Sequence, residues 1–202
     1  MVKVTVIIPT YNEIENIDSI LKAVRSSVPD AELLVVDDNS PDGTGQQADK
    51  TAAEISRVRV LHRPGKEGLG TAYRDAFKLV LSGDTDVIIS MDADFSHDPQ
   101  TIPLFLDAIK NGAEIVVGSR YIKDGMSVNW PLHRLLLSKW GNRYTAFMLK
   151  IKVHDCTTGF RAFTTDAIKK INILKTNPTH SLLILLNDMI VFQKNCSWHR
   201  LL

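Results

Sequence analysis

The sequence predicts an α/β fold in which a mainly parallel sheet carries helices on both faces. Three observations predict it: short apolar runs alternate with stretches of helical periodicity, these runs are nearly continuous as in strands buried on both faces, and no repeat or low-complexity segment breaks the order. The 202 residues, 44% apolar and 23% charged, suffice for one globular domain and are too few for two full-sized ones.

The predicted elements follow one another in a regular order. Five strands are expected, at residues 4–8, 33–36, 58–61, 87–91 and 115–117. Apolar side chains recur every three or four residues from Ile14 to Val24 and from Ala72 to Val80, which predicts amphipathic helices there. A weaker helix is expected over 44–55, and another begins near residue 99 with Asp98 as its N-cap.

Composition argues against several classes of protein. Lys and Arg total 24 against 23 Asp and Glu, a balance that does not favour a nucleic-acid partner. Two cysteines, Cys156 and Cys196, are too few for a disulfide scaffold and suit a reducing compartment. No signal peptide is expected, and the longest aliphatic run, residues 182–186, is far shorter than a membrane-spanning helix. We therefore expect a soluble or peripheral protein.

Polar segments follow four of the predicted strands, at residues 9–13, 37–43, 92–98 and 118–121. In open α/β sheets, ligands bind outside the carboxyl ends of the strands. Carboxylates gathered at one edge repel each other unless a cation lies among them. This edge is therefore predicted to be the functional site.

Asp92 and Asp94 are the strongest signal at this edge. Residues two apart in an extended segment point to the same side, so both carboxylates would face one ligand. Mg²⁺ and Mn²⁺ prefer such oxygen ligands together with substrate phosphates, and Ser96 could add a third oxygen. The alternative is a loop whose aspartates cap the next helix, which describes Asp98 but not Asp92 or Asp94.

The other strand ends offer further candidates. Successive side chains of a strand point to opposite sides, so only one of Asp37 and Asp38 can face a ligand. That aspartate would bind a base or ribose, and the other would hold the turn. Arg120 would pair with phosphate oxygens or, alternatively, bridge to a nearby aspartate. Gly68 and Gly70 are expected to form a tight turn into a helix.

A basic stretch extends from residue 124 to 155, with no acidic residue between those two aspartates. Two interpretations stay open: a core-packing helix with a solvated basic rim, or a basic helix that binds a phosphorylated lipid or lies on a membrane surface. In the second case Arg134 and Ser138 would contact an acceptor phosphate.

Five motifs occur in order: VIIPTYNE (6–13), VVDDNSPDGT (35–44), GLGTAY (68–73), DADFSHDP (92–99) and GSRY (118–121). Together they resemble the inverting glycosyltransferases of family 2, which have a GT-A fold. The segments NWPLHRLLLSK (129–139) and DCTTGFRA (155–162) are similar to the polyprenol-phosphate (dolichol-phosphate) mannosyltransferases within that family. The resemblance covers residues 2 to about 170.

The resemblance implies inverting transfer of mannose from GDP-mannose to a polyprenyl (dolichyl) phosphate, with Mg²⁺ or Mn²⁺ as cofactor. It places Asp92 and Asp94 at the diphosphate and the metal and Arg120 near the phosphates, all three as catalytic residues. The further substrate contacts that it implies are Pro9, Tyr11, Glu13, Val36, Asp38 and Ala93. The expected location is cytoplasmic, peripheral on the cytoplasmic face of a membrane, and an accessory membrane subunit is compatible with the sequence.

Residues 1–170 are expected to form the glycosyltransferase domain and residues 171–202 a divergent C-terminal tail, which does not follow the family's pattern. That tail keeps an alternative open, a catalytically impaired nucleotide-sugar-binding module. A family member that transfers glucose from UDP-glucose is a second alternative. A sugar-1-phosphate nucleotidyltransferase fits less well, because its first strand usually leads into a glycine-rich loop and residues 9–13 contain no glycine.

Overall fold

The computed structural model describes residues 2–118 and 158–171, and in them the predicted alternation of strands and helices is confirmed. The described elements are, in chain order, β1 (Val4–Thr10), α1 (Ile17–Ser27), β2 (Glu32–Asp37), α2 (Thr44–Glu54), β3 (Val58–His62), α3 (Leu69–Leu81), β4 (Val87–Ser90), a 3₁₀ helix (Pro99–Thr101), α4 (Ile102–Lys110), β5 (Ile115–Val117), β6 (Arg161–Thr164) and α5 (Thr165–Ile171).

The six described strands form one sheet in the order β3-β2-β1-β4-β6-β5. β1 pairs in parallel with β2 and β4, and β2 pairs in parallel with β3, while β6 runs antiparallel to both β4 and β5. The expectation of a mainly parallel sheet holds for the half that carries the predicted site. β6 was not among the predicted strands, because it is short and begins with Arg161, a charged residue that is nevertheless only 2% exposed.

The core lies on both sides of the sheet, as the continuous apolar runs predict. Successive strand residues point to opposite faces, so Val6 and Ile8 pack with α1, α2 and α4, whereas Ile7 packs with α3 and α5. All three side chains are fully buried. Helices on both faces are therefore confirmed, and burial of the strands fixes where their carboxyl ends lie.

Two local predictions are wrong. Ile14 does not begin the first helix: it precedes α1 and is 42% exposed, because the Asp42 carboxylate accepts a hydrogen bond from its backbone N–H (3.2 Å) and holds the segment as a turn. Gly70 is not a turn residue, since it lies in the first turn of α3. Gly68 alone makes the turn into this helix, with φ +97° in the region that favours glycine.

None of the helices in the described ranges is long and apolar enough to cross a membrane. The longest of them, α3, has 13 residues, whereas a spanning helix needs about 20.

Candidate active site

The strand order brings three polar strand ends side by side. β1 lies between β2 and β4, so Tyr11, which follows β1, lies between Asp38 on one side and Asp92 on the other. Neighbouring strands are about 4.8 Å apart, and the three ends thus span about 10 Å. The predicted site residues that the structure describes therefore share one edge.

The two aspartates at the end of β2 have different roles, as expected. Asp37 holds the turn: its carboxylate accepts hydrogen bonds from the Ser40 hydroxyl (2.6 Å), the Ser40 backbone N–H (3.1 Å) and the Thr10 hydroxyl (3.3 Å). The Asp37 carboxylate is thus occupied by protein donors. Of the pair, Asp38 is therefore the candidate for a ligand contact.

Asp38 is ion-paired with Arg63, which the sequence analysis did not single out. The Arg63 side chain is 3% exposed, and it also contacts Asp75 (Nε to Oδ2, 3.0 Å) and Glu67 (Nη2 to Oε2, 3.3 Å). Burial acts to lower the pKa of the Arg63 guanidinium, but the hydrogen bonds and charges of Asp38 and Asp75 raise it above its ordinary value. Arg63 follows β3 directly, so the rule that ligands bind at strand ends could have indicated it.

The end of β1 contributes Tyr11 and Glu13. The ammonium of Lys66 lies 3.7 Å from the centroid of the Tyr11 ring, a cation–π contact. Glu13 is half-buried, and its carboxylate accepts a hydrogen bond from the Asn16 side-chain amide (2.9 Å) while its backbone N–H donates to Thr44 Oγ1 (2.9 Å). These contacts fix the loop that separates the two acidic strand ends.

Pro9 and Val36 are register partners in β1 and β2, one residue before the strands end. The Val36 side chain is fully buried in the core beneath α3, so a ligand contact from this residue would come from its main chain. Ala93 is also almost fully buried, at 3% exposed. The implied contacts at Val36 and Ala93 therefore depend on backbone atoms.

Asp92 is positioned by His97, another residue that the sequence analysis did not single out. The Asp92 backbone N–H donates to Nδ1 of His97 (3.0 Å). The His97 ring is 6% exposed and stacks on Phe160 with 5.0 Å between ring centroids. No feature of the sequence indicates this contact, because Phe160 lies 63 residues further along the chain.

Gly159 packs directly against Asp92. The Ser90 hydroxyl donates to the Gly159 carbonyl (2.7 Å), and this holds the segment before β6 beside the end of β4. A Cβ at Gly159 would lie 3.1 Å from Oδ1 and 3.4 Å from Oδ2 of Asp92. Glycine at this position therefore leaves the room that the carboxylate occupies.

Asp94 lies in the exposed part of the same loop. Its Oδ1 accepts a hydrogen bond from the Ser96 backbone N–H (3.0 Å). Partial burial acts to raise the pKa of the Asp94 carboxyl. The hydrogen bonds from Ser96 and the proximity of His97 lower it by more, so the pKa lies below its usual value. Phe95, between these residues, has φ +58°, which is strained for a bulky side chain.

The donor set fits a divalent metal that a ligand helps to hold. Asp92 and Asp94 offer carboxylates, of which the Asp92 side chain is 40% exposed, and Ser96 is exposed beside them. Residues 2–118 and 158–171 contain no group of three or more His, Cys, Asp or Glu side chains that could hold a metal ion. Two carboxylates completed by phosphate oxygens are the usual arrangement for Mg²⁺.

Arg120, Arg134 and Ser138 lie outside the described residues. The same is true of the basic stretch that carries the last two and of residues 172–202.

The match to known families adds to this geometry. The family model described as "Glycosyl transferase family 2" matches residues 5–172. The chain belongs to glycosyl transferase family 2. The resemblance of the five motifs is thereby confirmed.

Three relatives are similar over most of this family 2 chain. It is 47% identical over 169 residues to "Polyprenol monophosphomannose synthase" of Mycolicibacterium smegmatis, which covers 83% of this chain and 64% of that protein. It is 46% identical over 171 residues to "Undecaprenyl-phosphate mannosyltransferase" of Micrococcus luteus (85% and 70%), and 38% identical over 175 residues to "Dolichol-phosphate mannosyltransferase" of Pyrococcus furiosus (85% and 49%). The chain thus spans between about half and 70% of the length of these curated relatives.

Solved structures of other proteins share the fold. S. aureus TarS 1–349 in complex with UDP-GlcNAc matches with a TM-score of 0.66 at 17% identity, over 94% of this chain and 54% of that chain. The mannosyltransferase PcManGT from Pyrobaculum calidifontis, in complex with GDP-Man and Mn²⁺, matches with a TM-score of 0.59 at 18% identity, over 84% and 46%. At such identities the likeness concerns the fold alone, and the GT-A fold is confirmed.

Proposed function

We propose that this protein transfers mannose from GDP-mannose to a polyprenyl phosphate, dolichyl or undecaprenyl phosphate among them, with inversion at the anomeric carbon. The observation that carries the choice of substrates is the identity of 46–47% to two proteins named for polyprenol-linked mannose. The strand-end geometry supports the choice, since Asp38, proposed for the nucleoside, lies at the same edge of the sheet as Asp92 and Asp94, proposed for the metal-bound diphosphate.

The nucleoside would lie at the ends of β1 and β2. The Asp38 carboxylate, which is paired with Arg63, would accept hydrogen bonds from the base, and a guanine edge offers adjacent N–H donors at N1 and N2. Pro9, Tyr11, Glu13 and the main chain of Val36 would line this part of the site. The diphosphate would then extend towards β4.

A divalent ion, Mg²⁺ or Mn²⁺, would be held by Asp92 and Asp94, with an oxygen from Ser96, and when bound it neutralises charge on the leaving nucleoside diphosphate. Contacts within the chain position the two carboxylates for this ion. The lowered pKa of the Asp94 carboxyl keeps it ionised at neutral pH, and His97 fixes the main chain of Asp92. Arg120 would contact the phosphates.

The acceptor needs little activation by the protein. A phosphate monoester has a second pKa of about 6 and is mostly a dianion at neutral pH. Its oxygen attacks the anomeric carbon as the bond from that carbon to the diphosphate breaks on the opposite side, which inverts the configuration. Arg134 and Ser138 would bind this phosphate, and no strong general base is required.

The organisation of the chain is part of the proposal. Residues 1–170 would form the transferase domain and residues 171–202 a divergent tail. The protein would contact the cytoplasmic face of a membrane, where a polyprenyl phosphate is anchored, and an accessory membrane subunit would be compatible with this arrangement.

The test is transfer of labelled sugar by the purified full chain into a polyprenyl phosphate that is extracted with organic solvent. GDP-mannose and UDP-glucose are compared as donors, each with Mn²⁺, with Mg²⁺ and with a chelator. Metal-dependent incorporation of mannose alone is the expected result. Incorporation of glucose from UDP-glucose instead would contradict the proposed donor, and tight binding of GDP-mannose without transfer would favour the binding module.

A further inference from the structure

Lys66 is a described residue of this edge that the proposed function does not use. Its ammonium lies 3.7 Å from the centroid of the Tyr11 ring. Lys66 belongs to the segment between β3 and α3, whereas Tyr11 follows β1, and β2 lies between those two strands. The Lys66 side chain therefore extends from the outer strand to the middle of the edge.

A donor bound as proposed must cross the middle of the edge. Asp38 follows β2 and Asp94 follows β4, and β1 with Tyr11 lies between them. A nucleoside diphosphate with its base at Asp38 and its metal-bound phosphates at Asp94 spans two strand spacings, about 10 Å. Its ribose would then lie over the end of β1, and the phosphate attached to the ribose would come within reach of the Lys66 side chain.

The charges at the edge favour such a contact. The Arg63 guanidinium is buried and contacts three carboxylates, so it is not available to a phosphate. The described contact of Lys66 is with a neutral ring, and its ammonium keeps its three donors. A lysine ammonium binds phosphate as a point charge and would offset the repulsion between the diphosphate and the aspartates.

The segment that carries Lys66 is anchored on both sides and has space around it. The Asn39 side-chain amide donates to the Pro64 carbonyl (3.3 Å), and Glu67 contacts Arg63 (3.3 Å). A Cβ built at Gly65, next to Lys66, would meet no atom within 4 Å. The ammonium can therefore turn from the ring towards a phosphate while the main chain stays at the edge.

We propose that Lys66 binds the diphosphate of the donor, and that the Tyr11 ring holds the ammonium at the edge when no donor is bound. The inference rests on the proposed function, because that function assigns the position of the donor. It adds a binding residue that is contributed by the segment after β3.

The test compares the affinities of GDP and guanosine, measured by calorimetry on the full chain with and without Mn²⁺. In Lys66→Met we expect GDP to bind about tenfold more weakly, the loss of one charge-assisted hydrogen bond, while guanosine binds as well as before. Lys66→Arg keeps the charge and should retain most of the preference for GDP. Lys110→Met, at the end of α4 and at the opposite edge of the sheet, is the matched control and should change neither affinity.

The outcomes separate this inference from the proposed function. If the wild-type chain binds GDP and Lys66→Met binds it equally well, or if guanosine weakens as much as GDP, the role of Lys66 is contradicted while the donor stands. If the wild-type chain prefers UDP, the proposed donor is wrong, and the same comparison with UDP and uridine decides the role of Lys66. If it binds no nucleotide, both are overturned.

Discussion

The two acidic ends of the candidate site differ in how the protein treats their charge. At the end of β2, the Asp38 side chain is 8% exposed and paired with the buried Arg63. After β4, Asp94 is exposed and the Asp92 side chain is 40% exposed. The first carboxylate thus has its counter-ion in the fold, whereas the second pair lies open to solvent.

This difference separates stability from function. A buried carboxylate without its partner is costly, so the ion pair at the end of β2 is needed for the stability of the fold. Partly exposed carboxylates cost little to keep and can bind a cation that the ligand brings. Substitutions after β4 should therefore reduce activity alone, and those around Asp38 should reduce both.

The largest effect is expected for Asp94→Asn. It removes one of the two proposed metal carboxylates and should lower the transfer rate about 1,000-fold, because charge on the leaving diphosphate is no longer neutralised. The melting temperature should not change, since Asp94 is exposed. Initial rates against Mn²⁺ concentration measure the effect, with Asp107→Asn on α4 as the control. Retained activity with unchanged metal dependence would contradict the role of Asp94.

Arg63→Met should have the opposite profile. It leaves Asp38 buried without a counter-charge and should lower the free energy of unfolding by about 3 kcal/mol, as well as weaken GDP binding. Asp75→Asn removes another partner of Arg63, but that side chain is 41% exposed, so the loss should be below about 1 kcal/mol. Urea denaturation measures both. Equal, small losses of unfolding free energy in the two variants would show that the buried pair of Asp38 and Arg63 stabilises the fold no more than the exposed contact with Asp75.

Gly159→Ala tests the metal end through its packing. The added Cβ would lie 3.1 Å from Oδ1 of Asp92, so the carboxylate must shift. We expect the affinity for Mn²⁺ to fall about tenfold, as is typical when the support of a metal ligand is disturbed. Gly83→Ala is the control, because its Cβ would make an ordinary contact of 3.4 Å with the Val80 carbonyl. Equal Mn²⁺ affinities in the two variants would argue against this support.

The sequence indicates the acidic residues of the site better than it indicates their partners. The period and the continuity of the apolar residues predict strands that end just before Asp37 and Asp92, because both signals are local. Arg63 lies 25 residues from Asp38, and Phe160 lies 63 residues from His97. Only the sheet order brings these residues together, and no spacing in the sequence encodes a distance of that kind.

The sequence fails to indicate β6 for the same reason. β6 begins with Arg161, whose charge argues against burial, yet its Nε–H donates to the Thr158 carbonyl (2.9 Å). Ile14 shows the converse, since it continues a helical period but is exposed. In both cases hydrogen bonds to particular groups overrule the pattern of apolar residues, and these groups become apparent only in the folded chain.

A small effect is expected at Asp42, which joins the loops that follow β1 and β2. Its carboxylate accepts hydrogen bonds from the Thr44 hydroxyl (2.6 Å), the Thr44 backbone N–H (3.0 Å) and the Ile14 backbone N–H (3.2 Å). Partial burial acts to raise the pKa of Asp42, but these hydrogen bonds lower it more, below its ordinary value of 3.8. Asp42→Ala should therefore cost about 1 kcal/mol at pH 7, the typical net contribution of a hydrogen bond.

The pH dependence gives this last prediction its sign. Because the pKa of Asp42 is lower in the folded chain, its contribution to stability is complete above the unfolded value and is lost as the pH falls through the folded one, below 3.8. The difference in unfolding free energy between wild type and Asp42→Ala should thus be largest near neutral pH and shrink below pH 3.8. Urea denaturation at several pH values measures it. A difference that stays constant would mean that Asp42 stabilises the loops by packing and not through its charge.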